Sequence, residues 1–204
     1  MRILIATAVA AERDAVMAGL SAPAGGVDVI AVGVGPAAAA AGTARTLATG
    51  DYDLVISAGV AGGMPGRAGI GDVVIATRSI AADLGAESPG GFVPISKLGF
   101  GSEIIDTAPL LHHSTAVVGP VLSVSTVTGT TASTDDLVRR YPDAVAEAME
   151  GFGVATAAQQ AGVRFAELRT ISNLVGPRDR SAWRLAEALA GLTDAVATVT
   201  KELR

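Results

Sequence analysis

A carboxylate and an amide stand at the ends of two successive elements in the C-terminal part of the chain. Glu150 directly precedes a helical pattern over residues 151–161, and Asn173 follows a strand pattern over 165–172. A carboxylate accepts hydrogen bonds from hydroxyl groups, whereas an amide both donates and accepts them. The pair could therefore hold a sugar and its base. Taken singly, a carboxylate at a helix start and an Asn after a strand are also typical of ordinary helix ends and turns.

Glu12 is a second acidic candidate. It lies one turn into the first helical segment, directly after a strand pattern over residues 3–8. In open α/β sheets the carboxyl ends of the strands gather ligands, so this position suits a catalytic carboxylate. A carboxylate that only stabilises a helix N-terminus is the alternative, and position alone favours it.

The run Gly-Val-Ala-Gly-Gly at residues 59–63 follows a strand pattern over 54–58. Small residues let a backbone approach a ligand closely and offer N–H donors to it. The run is neither a GxGxxG fingerprint before a helix nor a GxxxxGK[ST] loop, so motifs for dinucleotides and nucleoside triphosphates are missing. A tight turn beside a crowded sheet is an equally good interpretation of these residues alone.

Strand and helix patterns alternate along the chain and must position these residues. We predict strands at 3–8, 27–34, 54–58, 72–76, 121–128 and 165–172, and helices at 11–20, 36–48, 133–140, 151–161 and 181–203. This order predicts an α/β fold with a parallel or mixed sheet and helices on its faces. Residues 82–113 contain scattered Gly and Pro, so we expect a long excursion around a site there. Residues 144–149 have helical propensity.

Composition limits the class of protein. Half of the 204 residues are apolar and only 3% are aromatic, which predicts one domain over 1–204 with an aliphatic core. Gly, Pro or charge interrupts the apolar stretches before the roughly 18 residues of a spanning helix, so we expect no membrane partner. The net charge of −5 and the scattered basic residues argue against nucleic acid as a partner. The lack of cysteine and of a secretory signal pattern fits a cytoplasmic protein.

The stretch AMEGFGVATAAQQAGVRFAELRTISN at 148–173 resembles the C-terminal signature of the nucleoside phosphorylase/hydrolase superfamily. In that superfamily a Met-Glu pair binds ribose, and an Asp or Asn after an Arg-x-Ile-Ser strand faces the purine. The resemblance implies that Met149 packs on ribose, that Glu150 binds its hydroxyls, and that Ser172 either orients Asn173 or bonds its backbone. It also implies a three-layer αβα fold with a central mixed, partly parallel sheet, a strand at 144–149, and a homo-oligomer of two or more copies.

Further segments resemble the futalosine hydrolases within this superfamily. They are Ala-Asp-Leu-Gly-Ala-Glu at 82–87, Gly-Phe at 91–92, Val-Ser-Thr-Val-Thr-Gly at 124–129, Asn-Leu-Val-Gly-Pro-Arg at 173–178, and Trp183. The resemblance thus covers almost the whole chain. It implies hydrolysis of the N-glycosidic bond of futalosine to hypoxanthine and dehypoxanthinyl futalosine in menaquinone biosynthesis, without a metal or an organic cofactor. It also implies that the glycine run forms the floor of a nucleoside pocket through Val60, Ala61 and Gly62, with a backbone contact at Val60.

Glu12 decides between hydrolysis and phosphorolysis. Methylthioadenosine nucleosidases of the superfamily carry a Glu at the equivalent point, where it activates the attacking water. A carboxylate repels phosphate but accepts a proton from water, so hydrolysis is favoured. Arg67 and Arg78 keep open the alternatives of a purine nucleoside phosphorylase or a methylthioadenosine-type nucleosidase. A catalytically inactive nucleoside-binding protein is a further alternative.

Asn173 indicates the base. In adenine-releasing nucleosidases an Asp donates a proton to the base and accepts from its 6-amino group. Asn cannot transfer a proton, but its NH₂ group can donate to N7 and to a 6-oxo oxygen, while its carbonyl suits an amine. We therefore expect a 6-oxopurine, hypoxanthine. Phe92, Phe100 or Phe152 could supply an aromatic contact for the base. His112 and His113 lack a carboxylate at metal-binding spacing, and we expect them at the surface.

Overall fold

A mixed sheet forms the centre of the protein. The computed structural model describes residues 1–20, 26–110 and 115–203. In chain order the strands are β1 (Ile3–Thr7), β2 (Val27–Ala31), β3 (Leu54–Gly63), β4 (Val73–Ala81), β5 (Gly85–Ser88), β6 (Gly91–Pro94), β7 (Ile104–Asp106), β8 (Val117–Ser123), β9 (Ala146–Ala148) and β10 (Arg164–Leu174). The helices are α1 (Ala10–Gly19), α2 (Pro36–Leu47), α3 (Thr131–Arg140), α4 (Gly151–Gln160) and α5 (Leu185–Glu202). Strands β5 and β6 form a separate hairpin, and the other eight strands form the sheet.

Helices cover both faces of this sheet. Because successive side chains of a strand point to opposite faces, Ile3 and Ile5 of β1 pack under α1 and α5, while Leu4 packs under α2 and α4. A strand buried on both faces needs an apolar residue at each position, which β1 provides. The predicted α/β fold with three layers and a mixed sheet is confirmed.

Five strands of the sheet pair in a closed ring. Strand β10 pairs in parallel with β3 and antiparallel with β4, β4 pairs with β8, β8 with β9, and β9 with β3. Near the carboxyl end of β3, Gly62 pairs with Glu147 of β9 on one side and with Asn173 of β10 on the other. This junction brings β3 together with two segments that lie more than 80 residues further along the chain.

Most of the predicted elements are confirmed within a few residues, and the corrections follow from pairing. The glycine run at 59–63 is not a turn, because β9 and β10 pair with the two edges of β3 and extend it through the run. Strand β8 lies at Val117–Ser123 instead of 121–128, and β4 continues to Ala81, because these two strands pair on both sides of an irregularity between Ala76 and Ser79. Strand β10 extends to Leu174, so Asn173 lies within this strand and not after it.

The predicted excursion at 82–113 contains more regular structure than its composition indicated. It holds the hairpin β5-β6, a short 3-10 helix at Ile95–Leu98, and β7, which pairs with β4. Phe92 of the hairpin packs on Arg140, whose guanidinium carbon lies 4.5 Å from the ring centre. His112 and His113 lie outside the described residues. Among the helices of the described ranges, none is long and apolar enough to cross a membrane.

Candidate active site

A cavity of about 320 Å³ opens beside the junction of β3, β9 and β10. This volume suits a small-molecule ligand. The eight residues that the sequence predicted for the site all line it: Glu12, Val60, Ala61, Gly62, Met149, Glu150, Ser172 and Asn173. The described part of the 82–113 excursion does not line it, contrary to the expectation that this segment surrounds the site.

Glu12 is held between the ends of β1 and β3 by backbone N–H groups. Its Oε2 accepts hydrogen bonds from the N–H groups of Ala8 (2.9 Å) and Val9 (3.3 Å), and its Oε1 accepts one from Val60 (2.9 Å). The residue is only 4% exposed. The Glu12 carboxylate therefore caps the start of α1 and also borders the cavity. The Val60 N–H, expected to contact a ligand, donates to Glu12 instead.

The glycines of β3 make room for these groups. A Cβ at Gly59 would lie 2.6 Å from Glu12 Oε1 and 3.0 Å from Arg169 Nη1. A Cβ at Gly62 would lie 3.0 Å from Val175 Cγ2 and 3.3 Å from Asn173 Nδ2. A Cβ at Gly63 would lie 2.2 Å from the carbonyl oxygen of Ala68. Glycine therefore suits these positions because neighbouring side chains and backbone approach the strand closely.

Glu150 lies next to the buried side chain of Arg169. Its Oε1 accepts a hydrogen bond from the N–H of Gly35 at 3.1 Å, and its Oε2 lies 3.7 Å from Arg169 Nη1. Burial lowers the pKa of Arg169, but the carboxylates of Glu167, Glu150 and Glu12 outweigh it and hold that pKa above its ordinary value. The charged guanidinium of Arg169 therefore stabilises the carboxylates of Glu12 and Glu150.

A β-bulge directs two consecutive side chains into the cavity. The register between β10 and β3 shifts between Ile171 and Asn173, which makes Ser172 the extra residue. In a regular strand Ser172 and Asn173 would point to opposite faces, yet both line the cavity. The Ser172 hydroxyl donates to Asn173 Oδ1 (2.8 Å), and Asn173 Nδ2 donates to the carbonyl of Leu174 (2.9 Å). Ser172 thus orients the amide, whose NH₂ group has a second N–H to offer a ligand.

Comparison with known proteins agrees with this arrangement. Residues 15–204 match the family model described as the Phosphorylase superfamily. A futalosine hydrolase of Streptomyces coelicolor is 49% identical over 96% of this chain and 94% of its own length. The chain belongs to the futalosine hydrolase family. A second futalosine hydrolase, of Acidothermus cellulolyticus, is 52% identical over 96% of this chain and 89% of its own length.

A solved structure shows the same fold. The native futalosine hydrolase of Helicobacter pylori superposes with a TM-score of 0.82 at 19% identity, over 100% of this chain and 98% of that one. At this identity the likeness concerns the fold alone.

Sequence reasoning missed one fully buried acid of this futalosine hydrolase family member. Glu167 accepts a hydrogen bond from Arg169 Nε at 3.0 Å, and a Cβ at Gly151 would lie 2.2 Å from Glu167 Oε1. Burial raises the pKa of the Glu167 carboxyl, and the pairing with Arg169 offsets part of that rise. Two signals could have found it: an acid in the middle of a buried strand pattern, and a glycine directly after the Met-Glu pair.

Glu147 is a second acid that the sequence analysis missed. It lies on β9, shortly before Met149 and Glu150. It lines the cavity, and its carboxylate accepts hydrogen bonds from the backbone N–H and the hydroxyl of Thr128. Burial raises the pKa of Glu147, and the two hydrogen bonds from Thr128 counteract this rise. The sequence alone does not distinguish Glu147 from a solvated acid, because its burial depends on pairing of β9 with both β3 and β8.

The aromatic and basic candidates are corrected. Phe92, Phe100 and Phe152 do not line the cavity, whereas Trp183 does. Arg67 donates to the carbonyl of Ala144 at 2.9 Å, and Arg78 pairs with Asp143, so both guanidinium groups are used outside the cavity. Both pairings link distant segments, which sequence spacing does not reveal.

Proposed function

We propose that this protein hydrolyses the N-glycosidic bond of futalosine and releases hypoxanthine and dehypoxanthinyl futalosine, a reaction of menaquinone biosynthesis. The observation that carries the proposal is that Glu12, Glu150 and Asn173 line one cavity in a member of the futalosine hydrolase family. These three side chains supply a base for water, a carboxylate for ribose and an amide for the purine.

Glu12 activates the attacking water in this proposal. A carboxylate has about four acceptor positions, and three of them are occupied by backbone N–H groups. The remaining position, on Oε1, is available to a water molecule at the cavity wall. Because the backbone fixes the carboxylate, the water is oriented before the reaction begins.

Glu150 and Asn173 stabilise the two fragments as the C–N bond breaks. Positive charge grows on the ribose ring, and the Glu150 carboxylate at the ribose hydroxyls stabilises that charge more than it stabilises the ground state. Negative charge grows on the purine, and the Asn173 amide donates a hydrogen bond to N7 or to the 6-oxo oxygen. Met149 packs on the sugar face.

The charges of the cavity favour water over phosphate as the nucleophile. Its described lining residues include three acids, Glu12, Glu147 and Glu150, against one arginine, Arg178, so the excess of carboxylates repels an inorganic phosphate ion. Arg67 and Arg78, the arginines that could have supported phosphorolysis, are paired elsewhere. The proposed reaction is therefore hydrolysis.

Incubation of the protein with futalosine, with and without phosphate, tests this proposal. Chromatography follows hypoxanthine, and inosine and methylthioadenosine serve as comparison substrates. We expect release of hypoxanthine at the same rate in both buffers, with futalosine as the preferred substrate. Absence of release, or release only with phosphate, would reject the proposal, and preference for methylthioadenosine would support the nucleosidase alternative.

Asn173→Asp shifts the preference from 6-oxo toward 6-amino substrates. An Asp accepts a hydrogen bond from a 6-amino group, whereas the Asn NH₂ group suits a 6-oxo oxygen. We expect the ratio of kcat/KM for futalosine to kcat/KM for its 6-amino analogue to fall about tenfold to a hundredfold. Initial rates with both substrates measure this ratio. An unchanged ratio would contradict base reading by Asn173.

Gly59→Ala displaces the Glu12 carboxylate, because the added methyl group would lie 2.6 Å from Oε1. A misplaced base loses alignment with its water, so we expect kcat to fall at least about tenfold. Gly191→Ala on α5 is the matched control, since its Cβ would meet its nearest neighbour at an ordinary 3.7 Å. Full activity of Gly59→Ala would show that the position of Glu12 is unimportant.

Three broader predictions belong to the same proposal. We propose that residues 1–204 act as one domain, that the protein is a homo-oligomer, and that it works in the cytoplasm. Phe100 is 79% exposed, and the nearby Leu98 and Ile104 are also exposed, which supports a contact between copies. Light scattering coupled to size exclusion measures the oligomeric state.

A further inference from the structure

Arg178 and Trp183 line the same cavity, and the proposed mechanism uses neither of them. Arg178 is the only Arg or Lys among the described residues that line it, and its side chain is exposed. Trp183 is the only aromatic residue within the described part of the lining, and it is half-buried. The guanidinium carbon of Arg178 lies 5.6 Å from the centre of the Trp183 ring.

Arg178 has no carboxylate partner within the described ranges. The three acids of the cavity are engaged elsewhere: Glu12 by backbone N–H groups, Glu147 by Thr128, and Glu150 by Gly35 and Arg169. The Arg178 guanidinium is therefore a cation with its planar set of donors available beside an aromatic ring. That geometry suits a carboxylate, which the fork of an Arg binds through two parallel hydrogen bonds.

The backbone fixes both residues in place. The N–H of Arg178 donates to the carbonyl of Gly129 at 3.1 Å. Trp183 follows a short 3-10 helix at Arg180–Ala182, whose start is capped by the Asp179 side chain through the N–H of Ser181 at 2.9 Å. The loop that carries both residues follows β10, which ends one residue after Asn173, so one segment carries Asn173 and extends along the cavity.

We propose that Arg178 and Trp183 form a subsite for a substrate arm that ends in a carboxylated aromatic ring. This inference rests on the proposed function, because futalosine carries such an arm on C5′ of its ribose. Trp183 packs against the aromatic ring, Arg178 pairs with the carboxylate, and Val9, Val34 and Val127 of the cavity wall surround the apolar part of the arm. The subsite selects futalosine over nucleosides that lack the arm.

Arg178→Ala tests the pairing through substrate comparison. We expect KM for futalosine to rise about tenfold to a hundredfold, because a charge-assisted hydrogen-bonded pair is lost. We expect kcat/KM for inosine and for the methyl ester of futalosine to remain within about twofold of wild type, since neither presents a carboxylate. Arg178→Lys retains the charge but not the planar pair of donors, so its KM for futalosine should lie between those of the wild type and of Arg178→Ala. Arg180→Ala, two residues away and outside the cavity lining, is the matched control.

A binding measurement provides an independent readout. Trp183 is the only tryptophan of the chain, so fluorescence excited selectively in tryptophan, and not in Tyr52 or Tyr141, reports on this subsite. Titration with dehypoxanthinyl futalosine, which retains the arm but not the purine, changes the fluorescence of the wild type. The Kd rises about tenfold or more in Arg178→Ala.

The outcomes separate the two proposals. Equal losses of Arg178→Ala on futalosine and on inosine, or an unchanged Kd for the purine-free product, would overturn the subsite while the proposed function stands. Failure of the wild type to release hypoxanthine from futalosine would overturn the proposed function and the subsite with it.

Discussion

Glu12→Gln lowers kcat for futalosine about a thousandfold, because an amide does not take a proton from the attacking water. The effect is large since Glu12 is fixed by N–H groups at 2.9 to 3.3 Å, and no other acid of the cavity is held at the same point. Release of hypoxanthine under single-turnover conditions measures the loss. If the wild type releases hypoxanthine at a measurable rate and the variant almost none, the alternative of a catalytically inactive nucleoside-binding protein is also excluded.

Binding separates the role of Glu12 in catalysis from a role in the fold. We expect the Kd for dehypoxanthinyl futalosine to change little, because in the proposed complex the ribose hydroxyls and the arm contact other residues. The Gln NH₂ group faces at least one backbone N–H, so unfolding should become easier by about 1–3 kcal/mol. Asp14→Asn, on the exposed side of the same helix, is the control. A large loss of affinity would instead make Glu12 a binding or structural residue.

Glu150→Gln lowers kcat for futalosine about a hundredfold or more, with a smaller change in KM. The amide retains a hydrogen-bonding oxygen for ribose but lacks the negative charge that stabilises the growing positive charge on the sugar ring. The pairing across 3.7 Å with Arg169 is also lost, so the buried guanidinium is neutralised less completely. Initial rates over a range of futalosine concentrations separate kcat from KM.

Two comparisons define the role of Glu150. On a 2′-deoxy form of the substrate the effect of Glu150→Gln should shrink, because one of the hydroxyls that the carboxylate binds is gone. Glu187→Gln on α5, whose side chain is 70% exposed, serves as the control. An increase of KM with unchanged kcat would show that Glu150 binds the ground state and the transition state equally.

Short-range patterns predicted much of the fold. The apolar run of β1 predicted a strand buried on both faces, and the order of strands and helices predicted the layers. The helix starts next to Glu12 and Glu150 were also correct, because capping and periodicity depend on residues within one or two turns. Predictions of this kind failed where a partner strand decided the outcome, as in the glycine run of β3.

The amino-acid sequence by itself determined which groups are available: the carboxylates of Glu12 and Glu150, the amide of Asn173, and the glycines between them. Only the tertiary structure decided where they meet. The bulge at Ser172 turns Ser172 and Asn173 toward one cavity, and the pairing of β9 and β10 with β3 sets their distance from Glu12. The same pairing buries the Arg169 and Glu167 pair beneath the site. Such features depend on register between strands far apart in the chain, and local residue preferences do not specify that register.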